Sequence, residues 1–276
     1  MEDGRSNTGG HRTPTRVFFS DLDGTLLDAR TYSYAPAEPA LHLLHKHHLP
    51  LVFCTSKTRA EIEYWREEMH NWHPFVSENG GGIFIPNRYF DPPLPPHQSL
   101  DGYQVIVLGT PVEHLRTVMQ DLQERYAVRS FLQMSPEEVA ADARLPPQQA
   151  RRAVQRDFDI PFKILDKEQE STVLREIERQ GLRHVRGGRY HHLTGDSDKG
   201  RAVAILIELY RCHYGGVVTI AVGDSENDLP MLERVDRGYL VQRPDGTYAS
   251  PDFQHAAGGG PWGWAWVVRR EMVDVR

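Results

Sequence analysis

The chain has 276 residues, 39% of them hydrophobic and 25% charged, which is enough for a sizeable core in one large domain or two smaller ones. A formal charge of −6 and a pI near 6.2, with no sustained basic stripe, exclude a general attraction to nucleic acid or to an anionic membrane. Cys54 and Cys212 make neither a disulfide framework nor a metal motif, and no apolar run approaches the ~18 residues of a membrane span.

A reducing cytoplasm is the location expected of such a chain. Residues 1–15 are polar and rich in Gly and Thr, and are read as a disordered leader. "RVFFS" is a short buried strand ending at Ser20, and "DLDGTLLD" after it sets two aspartates one residue apart. "EPALHLLHKHH" carries helical spacing at Ala40, Leu43, Leu44 and His47; its crowded histidines suit a solvated helix face rather than a metal site. "LPLVFCT" is a second strand. Thr58 and Glu61 have the spacing of a capping box, so the next helix opens there. "PFVSENGGGIFIP" is a strand, a tight polar turn and another strand.

Four prolines between Pro92 and Pro96 then mark a linker. Beyond "YQVIVLG", Thr110 as cap, Pro111 as first helical residue and Glu113 start a helix, and "SPEEV" at Ser135 repeats that grammar. "PPQQARRAVQRDF" and "KEQESTVLREIERQG" are helices flanking the strand "PFKILD". The βα alternation resumes with "DKGRAVAILIELYRCHYGG" as helix, "VVTIAVGD" as strand, "SENDLPMLERV" as turn plus helix, and "GYLVQ" as the last strand. Trp262, Trp264 and Trp266 alternate as core residues of a strand do. The fold class is α/β: a Rossmann-like, doubly wound parallel sheet over 16–95 and 186–276, interrupted by an inserted α+β cap over 96–185.

In an extended chain residues i and i+2 point the same way, ~7 Å apart, so Asp21 and Asp23 address one site while Leu22 turns away. Ligand sites of open parallel sheets lie beyond the carboxyl ends of the strands, where Thr55 and Asp224 also fall. Asp228 follows four residues later. Four carboxylates at one rim stay ionised only beside a cation, and an all-oxygen set suits Mg²⁺ next to a phosphate. Lys199 can meet a phosphoryl oxygen, and Thr55 precedes a helix start that favours an anion. One carboxylate can attack phosphorus while a second moves the proton, which assigns Asp21 as nucleophile and Asp23 as acid and then base.

"DLDGTL", the hydroxyl at Thr55, Lys199 and "GDSEND", in this order, resemble the four motifs of the haloacid dehalogenase superfamily of phosphatases. The resemblance implies Mg²⁺ held by the Asp21 carboxylate, the Asp23 carbonyl and Asp224, with Asp228 in support. A cap placed between the second and third motifs, and "SENGG" at Ser77 to Gly81, are similar to the group acting on sugar phosphates.

Within that group "TSKTRAEIEYW", "ENGGGIFIP", "ARRAVQRDFDIPF", "GGRYHHLTGDSDKG" and "GGPWGW" resemble the mannosyl-3-phosphoglycerate phosphatases, over roughly residues 16 to 265. Ile160 before Pro161 departs from their acidic residue at that place. The implied activity is release of phosphate from mannosyl-3-phosphoglycerate. Another sugar phosphate, such as glucosyl-3-phosphoglycerate, sucrose phosphate or a hexose phosphate, or a phosphomutase reaction, is the alternative. A small phosphorylated sugar-glycerate needs cations beyond the phosphoryl site, for which Lys57, Arg156 and Arg189 are the candidates. Ser56, Glu78, Asn79 and Asn227 are the polar candidates for substrate contact, and Trp262 or Trp264 for a sugar face. No nucleic-acid or membrane partner is expected, and monomer and homodimer both stay open.

Overall fold

The computed structural model describes residues 14–186 and 189–273. The expected leader therefore lies, apart from residues 14 and 15, outside the described residues, as do Gly187 and Gly188 of "GGRYHH".

In chain order the elements are β1 (Thr15–Ser20), α1 (Glu38–Lys46), β2 (Leu51–Cys54), α2 (Arg59–Glu68), β3 (Phe75–Ser77), β4 (Gly82–Pro86), β5 (Gln98–Leu100) and β6 (Tyr103–Val107). The cap elements follow: α3 (Val112–Arg125), β7 (Val128–Ser130), α4 (Pro136–Ala143), α5 (Pro147–Ala153), β8 (Asp159–Ile164), α6 (Glu170–Arg179), β9 (Arg183–Arg186) and β10 (His191–Thr194). The chain then returns through α7 (Lys199–Tyr214), β11 (Val217–Gly223), α8 (Leu229–Leu232), β12 (Arg237–Gln242), β13 (Gln254–Gly259) and α9 (Gly260–Glu271).

The main sheet runs β13-β12-β11-β1-β2-β3-β4-β6-β5, and its first six strands are mutually parallel. Its central strands are apolar on both faces because helices cover both. Phe18, Phe53 and Phe75 pack with Leu41, Ile62, Trp65 and Trp264 on one side. Val17, Phe19, Val52 and Ala221 pack with Val203, Leu206 and Tyr210 of α7 on the other. A smaller antiparallel sheet, β7-β8-β10-β9, forms the cap and buries Ile160, Phe162 and Leu193 against Leu115, Met119, Val173 and Ile177 of α3 and α6. The α/β core with an inserted α+β unit is therefore present.

Several local expectations differ from what is found. Strands β5 and β6 continue the main sheet through β4, and β10 belongs to the cap sheet. The expected cap of 96–185 thus begins too early, since residues 98–107 pair with the main sheet, and ends too early, since residues 191–194 pair within the cap sheet. The helix expected from Thr110 starts at Val112, with Pro111 as its cap residue and no side-chain cap bond. The tryptophan segment is helix α9, with Pro261 in its first turn, and β13 precedes it as a further strand. Both expected capping boxes, Thr58 with Glu61 and Ser135 with Glu138, are formed.

Candidate active site

Strands β1, β2 and β11 are neighbours, and each hands its next residue to one rim: Asp21, Thr55 and Asp224. The Asp21 N–H donates to the Val222 carbonyl at 3.0 Å, which ties the turn after β1 to β11. Leu22 is fully buried, so the flanking aspartates face away from the core, as the extended-chain spacing requires. Gly24 sits at φ +80°, and a Cβ there would lie 2.7 Å from Asp224 Oδ2. Only glycine both makes this turn and admits the carboxylate.

Lys199, fully buried at the start of α7, donates to Asp21 Oδ1 at 2.8 Å and to Asp228 Oδ1 at 2.6 Å. Asp228 Oδ2 accepts from the N–H groups of Asp224 at 2.9 Å and Ser225 at 3.1 Å. Both Asp228 oxygens are thus engaged, and it orders Lys199 and the 224–225 loop. Thr25, which the sequence reading did not single out, donates to Asp224 Oδ1 at 3.4 Å.

Carboxylate oxygens of Asp21, Asp224 and Asp228 lie within 4.8 Å of one another. Burial pushes Asp21 up to about 7, with Asp228 and Asp23 adding to it and Lys199 opposing. Asp224 is raised well above its ordinary value by burial and by Asp228 and Asp21. Two buried acids held up by one another's charge and by lost hydration are what a divalent cation relieves, and an all-oxygen donor set fits a hard one. The Asp23 carboxylate is not one of the three; it is turned to Lys57, whose Nζ lies 2.8 Å from its Oδ2.

The rim opens into a cleft of about 920 Å³ between core and cap. Ser56, Lys57, Arg156, Arg189 and Asn227, candidates for substrate contact, line it together with Tyr32, Glu61, Arg186, Tyr190, His192 and Arg243, which were not foreseen. Thr55 itself is fully buried, and its hydroxyl accepts from the Lys57 N–H at 3.4 Å. Lys57 lies 3.5 Å from Glu61, and Arg156 lies 2.8 Å from Asp159 and 3.8 Å from Glu61. Burial opposes the Lys57 charge, yet Asp23 and Glu61 outweigh it and hold the ammonium above the usual lysine range.

Three expected contacts are corrected. Glu78 is fully buried and faces no sugar: its carboxylate accepts the backbone N–H groups of Asp157, Phe158 and Asp159, at 2.8 to 3.1 Å. Asn79 is 2% exposed and donates to Asp159 Oδ2 at 3.2 Å while accepting from Asn227 at 3.0 Å, so it links cap and core instead. Trp264 is buried and donates to Ser20 Oγ at 2.9 Å, whereas Trp262 is 64% exposed, and neither lines the cleft. His191 and His192 are residues of β10, and His192 Nδ1 lies 2.9 Å from Asp159 Oδ2.

Residues 18–97 and 162–245 match the family of haloacid dehalogenase-like hydrolases. A glucosyl-3-phosphoglycerate/mannosyl-3-phosphoglycerate phosphatase of Methanococcoides burtonii is 45% identical over 255 residues, covering 90% of this chain and 94% of the relative. A mannosyl-3-phosphoglycerate phosphatase of Pyrococcus furiosus is 36% identical, covering 82% and 90%. The solved structure of Thermoplasma acidophilum 0175 shares the fold, with a TM-score of 0.69 at 19% identity over 94% of this chain and 98% of that one. The chain belongs to the haloacid dehalogenase-like hydrolases, among their phosphatases.

Proposed function

We propose that the cleft hydrolyses mannosyl-3-phosphoglycerate to mannosylglycerate and phosphate, with Mg²⁺ as the cation. The observation that carries this reading is the opposition across one cleft of an acidic rim, Asp21, Asp23 and Asp224, to arginines of the cap, Arg156, Arg186 and Arg189. Such a site suits a phosphate ester that carries a second anionic group. The names of the two relatives support the choice of ester.

Asp21 attacks phosphorus and takes the phosphoryl group as an aspartyl-phosphate. Lys199, 2.8 Å away, aims the Asp21 carboxylate and balances its charge. Asp23 gives its proton to the leaving oxygen of the glycerate, then removes one from the water that attacks the phosphorus. Lys57 holds the Asp23 carboxylate in place. Asp21, Asp224 and the Asp23 carbonyl would hold Mg²⁺, while Asp228 fixes the loop that presents Asp224. When bound, the ion supplies charge neutralisation at the phosphoryl oxygens. The cap excludes water around the leaving group.

The glucosyl analogue is the second reading, favoured by the double name of the Methanococcoides burtonii relative. The test is phosphate release with Mg²⁺ from mannosyl-3-phosphoglycerate, glucosyl-3-phosphoglycerate, mannose 6-phosphate and 3-phosphoglycerate, compared by kcat/KM. A preference of ~100-fold for the mannosyl compound over the last two, about 2.7 kcal/mol, is expected. Equal rates on all four would reduce the reading to a general sugar phosphatase.

A further inference from the structure

Five cationic side chains line the cleft, and their partners divide them into two classes. Lys57 is paired with Asp23 at 2.8 Å, Arg156 with Asp159 at 2.8 Å, and Arg243 with Glu226 at 2.7 Å. Each of these charges is neutralised by a protein carboxylate before any ligand arrives. Among the described residues, Arg189 donates to the carbonyl oxygen of Ala143 and has no carboxylate at ion-pair distance, and neither has Arg186, the last residue of β9. Glu226, whose charge interacts with Arg186, is the acid already held by Arg243.

We propose that Arg186 and Arg189, on the cap, form the subsite for the second anionic group of the substrate, a carboxylate two carbons from the phosphate ester. The proposal rests on the functional reading above for the glycerate. A guanidinium without a protein carboxylate keeps its fork free for a ligand, whereas recruiting Lys57 or Arg156 would first break an existing pair. Both arginines are exposed in the open cleft, so they carry little desolvation cost until a ligand covers them. The Tyr32 phenol is held up mainly by burial; Asp23 pushes it further up, and Lys57 and Arg189 pull it down. Tyr32, which lines the same cleft, thus feels the charge of both Arg189 and the acid–base carboxylate of Asp23.

The test is calorimetric binding of 3-phosphoglycerate and glycerol 3-phosphate, which differ by the carboxylate, to the full chain carrying Asp21→Asn in Mg²⁺, so that neither ligand is consumed. With the cap unchanged, 3-phosphoglycerate should bind at least 10-fold tighter. Adding Arg186→Gln and Arg189→Gln should bring that ratio to within threefold, and Arg189→Lys should restore part of it. A ratio near one with the cap unchanged, or a preference that survives both Gln substitutions, overturns the subsite. If mannosyl-3-phosphoglycerate releases no phosphate while the ratio still collapses, the functional reading fails and the subsite stands.

Discussion

Lys199 and Asp228 meet at 2.6 Å in a part of the molecule from which water is wholly excluded, and the far oxygen of Asp228 accepts two backbone N–H groups of the loop that carries Asp224. One carboxylate therefore anchors both the lysine beside Asp21 and the loop that presents Asp224. Removing its charge leaves a buried ammonium with a single anionic partner. Asp228→Asn is expected to lose on the order of 3 kcal/mol of stability in urea unfolding and most of its activity. An unchanged unfolding midpoint would show that Asp228 does not hold this centre together.

Glu78 acts between domains. Its carboxylate collects three successive N–H groups of 157–159, although burial and Asp159 push it up to about 8, against the pull of Arg156 and those donors. Glu78→Ala leaves three amides without their acceptor, each costing about 1–3 kcal/mol if buried and unsatisfied. Amide hydrogen exchange at 157–159 should accelerate by a factor of at least ~100, the equivalent of 2.7 kcal/mol. Exchange at the same rate as in the unaltered chain would mean that the cap is held elsewhere.

A stability effect with a defined pH window comes from His73. Burial, reinforced by His45 and Arg66, lowers its pKa from 6.5 to about 4, and Tyr89 Oη lies 2.5 Å from Nδ1. The folded state thus binds the proton less readily than the unfolded chain. The stability this contributes is present above pH 6.5 and lost as pH falls towards 4, by at most about 3 kcal/mol. Chemical denaturation between pH 7 and 4 should show a loss that is reduced in His73→Gln. Parallel profiles for the two proteins would assign the acid sensitivity to other groups.

Removal of the cation should be visible without turnover. If Mg²⁺ binds the folded chain alone, a concentration of 100 Kd stabilises it by about 2.7 kcal/mol. Thermal unfolding with and without chelator should show the shift, and Asp224→Asn should abolish it. A shift that persists in Asp224→Asn would place the ion at other ligands.

The parts of the site legible in the sequence are those defined by strand ends. Asp21 and Asp23 share a face because of a period of two, and Asp21, Thr55 and Asp224 meet because parallel strands finish on one edge. The capping boxes at Thr58 and Ser135 were readable because their bonds span three residues. Glu78 and Asn79 were not, since their cap partners lie 79 to 81 positions away and Asn227, which donates to Asn79, lies 148 away. A polar turn in sequence cannot announce that it will be buried by an inserted domain. The alternating tryptophans suggested a strand, but Trp264 is buried and Trp262 exposed on a helix whose start Pro261 marks, a signal that outranks a short run of period two. Arg186 and Arg243 lacked any motif, and only the fold brings them to the cleft.

In the proposed reaction the phosphoryl group passes through Asp21. Acid quenching during turnover of a phosphate-labelled substrate, followed by peptide mapping, tests it most directly. The expected result is an acid-stable, base-labile label on the peptide containing Asp21, absent from Asp21→Asn along with phosphate release. Undiminished release by Asp21→Asn, or label confined to another residue, would contradict the account.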